Sequence, residues 1–185
     1  MPFILTFLTG LFAGFIGTNT GGGGFISIPV LIFLGLPAQI AVATNRLASL
    51  GLATSGFLTF HRHKKVDFKI GLVSLVVVGI GSYIGATTLF LVPTKVLEKL
   101  IAVIMIALLI FFIKNKDIGI KKMIPSKSIF IRGLSYLSLF IVGFWGSFFG
   151  GGFATFSRYA LILLFGQTFI ESSTTTNLLN IGISL

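Results

Sequence analysis

Residues 18–37 read TNTGGGGFISIPVLIFLGLP and decide how the chain is organised. Four consecutive glycines, Gly21 to Gly24, precede an apolar segment, Phe25 to Leu36, which Pro37 follows directly. As a helix this segment is about 18 Å long, whereas the hydrocarbon core of a bilayer is about 30 Å thick. Because proline also lacks the N–H that a helix interior requires, the pattern predicts a short helix broken at both ends. The alternative is that the segment continues the preceding helix across a kink.

The composition indicates an integral membrane protein. The 185 residues are 55% hydrophobic and 10% charged, and the mean hydropathy is +1.06. Soluble domains contain roughly 25% charged residues. The apolar residues form blocks, and most charges lie in the gaps between them; the blocks are residues 3–17, 25–36, 40–60, 70–92, 100–113, 129–149 and 153–165. We therefore predict an all-α fold, a polytopic transmembrane helix bundle embedded in a lipid bilayer.

The formal net charge of +10 is explained by membrane topology. Most basic residues lie in two segments, 61–69 and 114–127. Lysine and arginine in short loops mark the cytoplasmic side, so both segments are predicted to be cytoplasmic and the turn at residues 93–95 to lie outside. Because topology accounts for the charge, no nucleic acid partner is predicted.

Enzymatic chemistry is disfavoured by the side chains available. The absence of cysteine excludes disulfides, thiolate metal sites and thiol catalysis. His61 and His63 lie among the cations of the first basic segment, so we interpret them as loop residues, and no histidine lies in an apolar block to activate a serine. We predict no catalytic site, no metal site and no cofactor.

The chain contains an internal repeat. Three short motifs occur twice, in the same order and with nearly the same spacing. They are GFIG at 14–17 and GFWG at 143–146, GGGF at 22–25 and at 150–153, and Thr-Asn at 44–45 and at 176–177. This pattern predicts two homologous transmembrane repeats, residues 1–127 and an incomplete second repeat at residues 128–185. Broken helices at corresponding glycine-rich tracts in two halves are typical of transporter binding sites.

The glycine tracts are the first candidate binding elements. Unhindered backbone N–H groups followed by the positive end of a helix form an anion site. The candidate substrate-binding residues in these tracts are Asn19, Gly22, Gly23, Gly24, Gly151 and Gly152. The alternative is that the glycines only allow close helix packing.

Arg46 is a cation inside the apolar block 40–60. Inserting a cation at bilayer depth costs about 2.5–3.5 kcal/mol, so such an arginine normally faces a cavity, a partner or an ion path. Thr44 and Asn45 directly precede it, and Thr176 and Asn177 occupy the matching place in the second half. Amide, hydroxyl and guanidinium groups together suit an oxyanion. We predict that these five residues bind an anionic substrate; the alternative is that they bond to each other between helices.

Two charges in the second half allow alternative roles. Arg158 is a second candidate for substrate binding, or its side chain could reach the lipid headgroups. Glu171 matches Gln39 in the repeat and lies near a predicted helix start. A carboxylate there interacts favourably with the helix dipole, so capping is favoured over proton coupling or pairing with an arginine.

Glycine pairs spaced by four residues predict close helix contacts. Gly81 and Gly85 have this spacing in one apolar block, and Gly10 and Gly14 have it in the first. Small residues at this spacing let membrane helices approach closely. Each glycine could equally be merely tolerated.

These features are similar to the sulfite exporter TauE/SafE family of membrane permeases. The resemblance rests on residues 14–29, residues 35–48, Val66-Asp67 after the basic loop and residues 146–152, and it covers essentially the whole chain. It implies a multi-pass carrier in the plasma or inner membrane of a bacterium or archaeon. The substrates it implies are sulfite, sulfonates and related organosulfur anions.

The resemblance and the residues together predict a permease that exports or exchanges a small anion by alternating access. Arg46 would supply the countercharge, and Asn45 and Asn177 the orienting hydrogen bonds. The chain is shorter than usual for the family and ends inside the helix after Thr176-Asn177. We therefore also expect a homo-oligomer as one arrangement, and the alternative function is a non-transporting membrane scaffold or a subunit of a larger carrier.

Overall fold

The computed structural model describes residues 2–61, 68–114 and 129–184, and these residues form helices with no strand among them. The helices are α1 (Pro2–Thr20), α2 (Gly24–Phe33), α3 (Ala38–His61), α4 (Phe68–Leu91), α5 (Thr94–Lys114), α6 (Ile129–Phe149), α7 (Phe153–Phe165) and α8 (Phe169–Ser184). The all-α prediction is confirmed. His63 and most of both basic segments lie outside the described residues.

The first glycine tract breaks the chain between α1 and α2. The N–H of Gly21 still donates to the carbonyl of Gly17, at 2.8 Å, but Gly21 itself has a φ of +80°. Glycine adopts this left-handed conformation without steric penalty. Helix α2 is only ten residues long, and Pro37 directly precedes α3. The predicted short broken helix is confirmed.

The same order of elements follows α6. Gly152 has a φ of +78° and directly precedes α7, which is thirteen residues long. Gly166, with a φ of +67°, ends α7 before α8 begins. The order of long helix, glycine tract, short helix and polar helix therefore occurs twice, while the homology of the two halves stays a prediction.

Glycines bring α4 and α6 into backbone contact. A Cβ added to Gly81 would collide with the carbonyl oxygen of Phe140, and one added to Gly85 would collide with that of Phe144. Gly143 on α6 is equally close to the carbonyl of Val78 on α4. The predicted close approach at Gly81 and Gly85 is thus present, whereas a Cβ on Gly10 would meet no described atom within 4 Å.

Large apolar side chains cover the outer surface. Phe3 is 88% exposed, Leu91 is 82% exposed and Leu47 is 72% exposed. An apolar exterior of this extent suits contact with lipid rather than water. By length and composition, one stretch among the described residues, Ile70–Leu91, is long and apolar enough to cross a bilayer.

Helix α8 differs from the apolar outer surface, because it carries many polar residues and they are buried. Residues 172–177, with the sequence SSTTTN, are all buried. Several hydroxyls donate to carbonyls of the preceding turn: Thr174 to Ile170 at 2.9 Å and Thr175 to Glu171 at 2.9 Å. Hydroxyls bonded to their own helix need no partner on another helix, so a polar helix can lie inside an apolar bundle.

The start of α8 is closed by a capping box. The N–H of Thr168 donates to Oε2 of Glu171 at 2.8 Å, and the N–H of Glu171 donates to Oγ1 of Thr168 at 3.4 Å. This reciprocal pattern satisfies backbone donors at a helix N-terminus. The structure therefore places Glu171 in the capping role favoured by the sequence.

The α4–α6 contact generates a stability prediction. We expect Gly81→Ala and Gly85→Ala each to lower the free energy of unfolding by about 1–3 kcal/mol, because each new methyl group forces the helices apart. Thermal unfolding in detergent would measure this. Gly79→Ala is the matched control, since a Cβ at Gly79 of the same helix meets no described atom within 4 Å. Equal effects at all three positions would contradict the packing argument.

Candidate functional site

A cavity of about 180 Å³ lies where the two broken regions meet. Residues of α1, α2 and α3 line one part of it, and Gly150 with residues of α7 and α8 lines the rest. Both Arg46 and Arg158 line the cavity, and no acidic side chain is among the described residues that do so. The cavity is therefore electropositive.

The two glycine tracts touch beside this cavity. A Cβ added to Gly24 would lie 2.9 Å from the Cα of Gly151 and 3.1 Å from the carbonyl oxygen of Gly150. Gly23 is similarly close to α1, where a Cβ would lie 3.2 Å from the Cα of Gly17. We call the contact between Gly24 and residues 150–151 the glycine crossing. Any side chain there would separate α2 from the start of α7.

An aromatic cluster packs around the glycine crossing. The indole N–H of Trp145 donates to the carbonyl of Gly151 at 3.2 Å. The Trp145 ring lies 5.4 Å from that of Phe149 and 6.4 Å from that of Phe156, between centroids. Phe149 in turn lies 6.0 Å from Phe25 at the start of α2. The cluster connects α2, α6 and α7 around the crossing.

Asn45 joins α3 to α2 and to the second glycine tract. Its Oδ1 accepts a 2.5 Å hydrogen bond from the hydroxyl of Ser27 on α2, and its Nδ2 donates to the carbonyl of Gly150 at 3.4 Å. Only 5% of Asn45 is exposed. Because Ser27 donates to the oxygen, it fixes which end of the amide faces Gly150. Asn45 is thus a structural link as well as a cavity residue.

Arg46 follows on the same helix and is held without a counter-ion among the described residues. Its guanidinium carbon lies 5.7 Å from the centroid of the Phe153 ring, a cation–π distance. The space comes from Gly146, where a Cβ would lie 3.0 Å from Nη2 of Arg46. Nε and Nη2 of Arg46 are buried, and neither has an acceptor among the described residues.

Arg158 is held differently. It is 6% exposed, its Nη2 donates to the carbonyl of Thr18 at 3.4 Å, and its guanidinium carbon lies 5.7 Å from the centroid of Phe169. The buried side chain points inward instead of extending to the headgroups. Arg158 therefore connects α7 to the end of α1 and adds positive charge to the cavity.

The structure brings together many of the predicted binding residues. Those that line the cavity are Gly23, Gly24, Thr44, Asn45, Arg46, Arg158 and Asn177. Thr44 is exposed, whereas Asn177 is buried and contacts α3, since a Cβ on Gly56 would lie 2.6 Å from its Nδ2. Their role in substrate binding stays a prediction.

Other predicted residues lie beside the cavity without being among those that line it. Gly151 and Gly152 pack on the ring of Phe25: a Cβ added to the first would lie 2.9 Å from a ring carbon, and one added to the second 2.5 Å. In these contacts Gly151 and Gly152 allow close packing, which was the alternative role of the glycine tracts. Gly22 lies in the break before α2, and Thr176 is fully buried in α8. The side chain of Asn19 lies outside what the structure describes.

Ser27, Phe153 and Asn180 are among the cavity residues that were not predicted. Ser27 orients Asn45, and Phe153 stacks on Arg46. Asn180 also lines the cavity, and its position three residues after Asn177 places both on one face of a helix. This spacing was the available sequence signal for Asn180, whereas nothing local marked Ser27 or Phe153.

Comparisons with known proteins indicate the family of this chain. The family model described as Sulfite exporter TauE/SafE matches residues 6–185. A Haemophilus influenzae protein named "Probable membrane transporter protein" is 28% identical over 181 residues, which cover 98% of this chain and 70% of the relative. A protein of the same description from Sinorhizobium, ORF9, is 28% identical over 95% of this chain and 67% of its own length.

YfcA from Escherichia coli, also named a probable membrane transporter protein, is 27% identical over 174 residues, or 94% of this chain and 64% of the relative. The chain thus spans about two thirds of the length of these relatives. No solved structure gives a significant match. Because the family model covers nearly the whole chain, this membrane protein belongs to the sulfite exporter TauE/SafE family.

Proposed function

We propose that this protein is a multi-pass transporter that moves a small oxyanion across the cell membrane, with Arg46 as the residue that binds it. The relatives are named as membrane transporters, and the family description names sulfite. The observation that carries the proposal is the guanidinium of Arg46, whose Nε and Nη2 have no acceptor among the described residues beside an electropositive cavity.

The geometry of these two nitrogens favours an oxyanion over a halide. Nε and Nη2 lie on the same edge of the planar guanidinium, and their N–H groups point in parallel. Two oxygens of a sulfite, sulfonate or carboxylate group match this edge with two charge-assisted hydrogen bonds. A single spherical ion has to share both N–H groups, so its two hydrogen bonds are bent, whereas two oxygens accept two nearly linear ones.

The surroundings of Arg46 make an anionic partner favourable. A buried donor without an acceptor costs about 1–3 kcal/mol, and more when it is charged. An anion in the cavity removes this cost and supplies the missing countercharge. Asn45, Asn177 and Asn180 add neutral amides that can replace part of the anion's hydration shell.

The position of the glycine crossing supports alternating access. In carriers built from two halves, substrate binds where broken helices meet, and one half moves against the other around that site. Here Gly24 and Gly151 bring the starts of α2 and α7 into backbone contact beside the cavity, which is the place where such a site is expected. The basic segments 61–69 and 114–127 would lie on the cytoplasmic side.

Arg46→Lys tests the paired N–H donors of the guanidinium separately from its charge. We expect it to reduce sulfite flux in proteoliposomes roughly 10- to 100-fold, because lysine keeps the charge but loses the paired donors, and each charged hydrogen bond is worth about 1.5–3 kcal/mol. Arg46→Ala should abolish flux. Arg132→Lys, on the exposed first turns of α6, is the matched control and should have no effect.

Thermal unfolding of each variant must accompany these assays, so that loss of flux is not confused with loss of fold. Undiminished sulfite flux in Arg46→Ala would remove Arg46 from the site. Absence of flux for sulfite and for simple sulfonates in the unaltered protein would instead favour a scaffold role.

Ser27→Ala tests the orientation of Asn45. We expect the variant to lose about 1 kcal/mol of stability and to show a raised apparent KM for sulfite, because the amide of Asn45 is no longer held toward Gly150. Ser55→Ala is the control, since the Ser55 hydroxyl is exposed and, among the described residues, donates to the carbonyl of Leu52 in its own helix. Equal KM values for both variants would contradict this role.

A further inference from the structure

The guanidinium of Arg46 is held by residues from the second half of the chain. Its central carbon lies 5.7 Å from the centroid of the Phe153 ring, and a Cβ added to Gly146 would lie 3.0 Å from its Nη2. Gly146 belongs to α6 and Phe153 begins α7, whereas Arg46 belongs to α3. The cation therefore lies between an aromatic ring and a helix backbone that other elements supply.

The Phe153 ring is itself fixed in place. It is 3% exposed and belongs to an apolar core cluster with Val78 of α4, Leu139 of α6 and Leu161 of α7. Its Cδ2 lies against Gly146, where an added Cβ would be only 2.5 Å away. A ring packed in this way can restrict the guanidinium beside it, whereas a mobile ring could not.

The matching phenylalanine of the first half makes a different contact. The repeated GGGF motif pairs Phe153 with Phe25, and the repeated Thr-Asn motif pairs Arg46 with Leu178. The Phe25 ring lies 6.0 Å from that of Phe149, and no described cation lies over it. The cation–π contact is thus not a general result of the motif.

An oxyanion needs the guanidinium in one orientation. Two oxygens bind side by side only if the edge that carries Nε and Nη2 faces them. An arginine side chain that rotates freely loses conformational entropy when this edge is fixed. A ring and a backbone that hold the group beforehand lower this cost, and such pre-organisation raises affinity.

We propose that Phe153 is a positioning residue of the anion site, which holds the Arg46 guanidinium in the orientation that an oxyanion binds. Gly146 leaves the space in which ring and guanidinium meet. The inference rests on the proposed function, because it concerns the residue that binds the anion there. It adds to that function the group through which the second half of the chain acts on the site.

An aromatic ring suits this role better than a carboxylate. A carboxylate would accept hydrogen bonds from the edge that carries Nε and Nη2 and would compete with the substrate. A ring attracts the cation through its π face and accepts neither N–H group. Both buried donors, which have no acceptor among the described residues, therefore remain available to an anion.

Phe153→Leu tests the proposal through binding. We expect the affinity for sulfite to fall roughly three- to tenfold, because the cation–π contact that holds Arg46 is lost. The measurement is the rise in unfolding temperature as sulfite is added. Phe165→Leu is the matched control: its ring lies on the same helix, 5.2 Å from that of Tyr136, and should not affect sulfite affinity.

A double-mutant cycle separates orientation from packing. Combined with Arg46→Lys, Phe153→Leu should reduce sulfite affinity by less than about twofold, because an ammonium has no plane to orient. A ring that only stabilised the fold would produce the same loss with and without Arg46→Lys.

Gly146→Ala approaches the same contact from α6. The added Cβ would press on both the Phe153 ring and Nη2 of Arg46, so we expect a loss of sulfite affinity similar to that of Phe153→Leu. Gly133→Ala is the control on the same helix, since a Cβ there meets no described atom within 4 Å. Its sulfite affinity should equal that of the unaltered protein.

Nuclear magnetic resonance of isotope-labelled arginine measures the contact without any transport assay. The chain contains four arginines, so the Nε–H signal of Arg46 can be assigned by its loss in Arg46→Lys. We expect a ring-current shift of this signal that disappears in Phe153→Leu and persists in Phe165→Leu.

Three results would overturn the proposal. They are unchanged sulfite affinity in Phe153→Leu, equal losses of affinity with and without Arg46→Lys, and an Arg46 signal that Phe153→Leu does not move. If sulfite fails to stabilise the unaltered protein while the Arg46 signal shows the ring-current shift, the proposed function is contradicted and the contact between ring and guanidinium is not.

Discussion

The architecture depends on the backbone contact between Gly24 and residues 150–151. Two helix interruptions far apart in the sequence meet there, so that α2 and α7 begin at the same place. The contact requires Gly24 to lack a side chain, since a Cβ there would lie only 2.9 Å from the Cα of Gly151. The amide of Asn45 reaches Gly150 only because the tracts are this close, and Arg46 is positioned by the same turn of α3.

The interior distinguishes polar groups that are satisfied locally from those that are not. Thr174 and Thr175 bond to their own helix, and Glu171 caps it. These groups stabilise α8 without specifying any ligand. Arg46 has a stacking partner in Phe153 but no acceptor for Nε or Nη2 among the described residues. Buried donors without an acceptor call for a specific explanation. Hydroxyls such as those of Ser173 and Thr176 also lack a partner among the described residues, but Arg46 is charged, has two such donors and lies beside the cavity, so it supports the proposed function.

Glycine and proline residues at the helix ends made the helices predictable from the sequence. Glycine and proline interrupt helices through backbone geometry alone, so the break before α2 and the start of α3 after Pro37 could be placed without tertiary information. The contacts of Ser27 with Asn45 and of Phe153 with Arg46 could not be predicted from the sequence. Each joins residues on different helices, and helix rotation decides whether such side chains meet. For the same reason Gly151 and Gly152 could be recognised as important but not assigned to the packing contact with Phe25 that the structure shows.

The fluorescence of Trp145 reports on the glycine crossing. It is the one tryptophan of the chain, and its indole bonds to the carbonyl of Gly151 while its ring packs against Phe149. Indole emission shifts with the polarity and hydrogen bonding of its surroundings. All intrinsic tryptophan fluorescence therefore originates at the junction of the two broken helices, and rearrangement there can be followed by spectroscopy without attaching a dye.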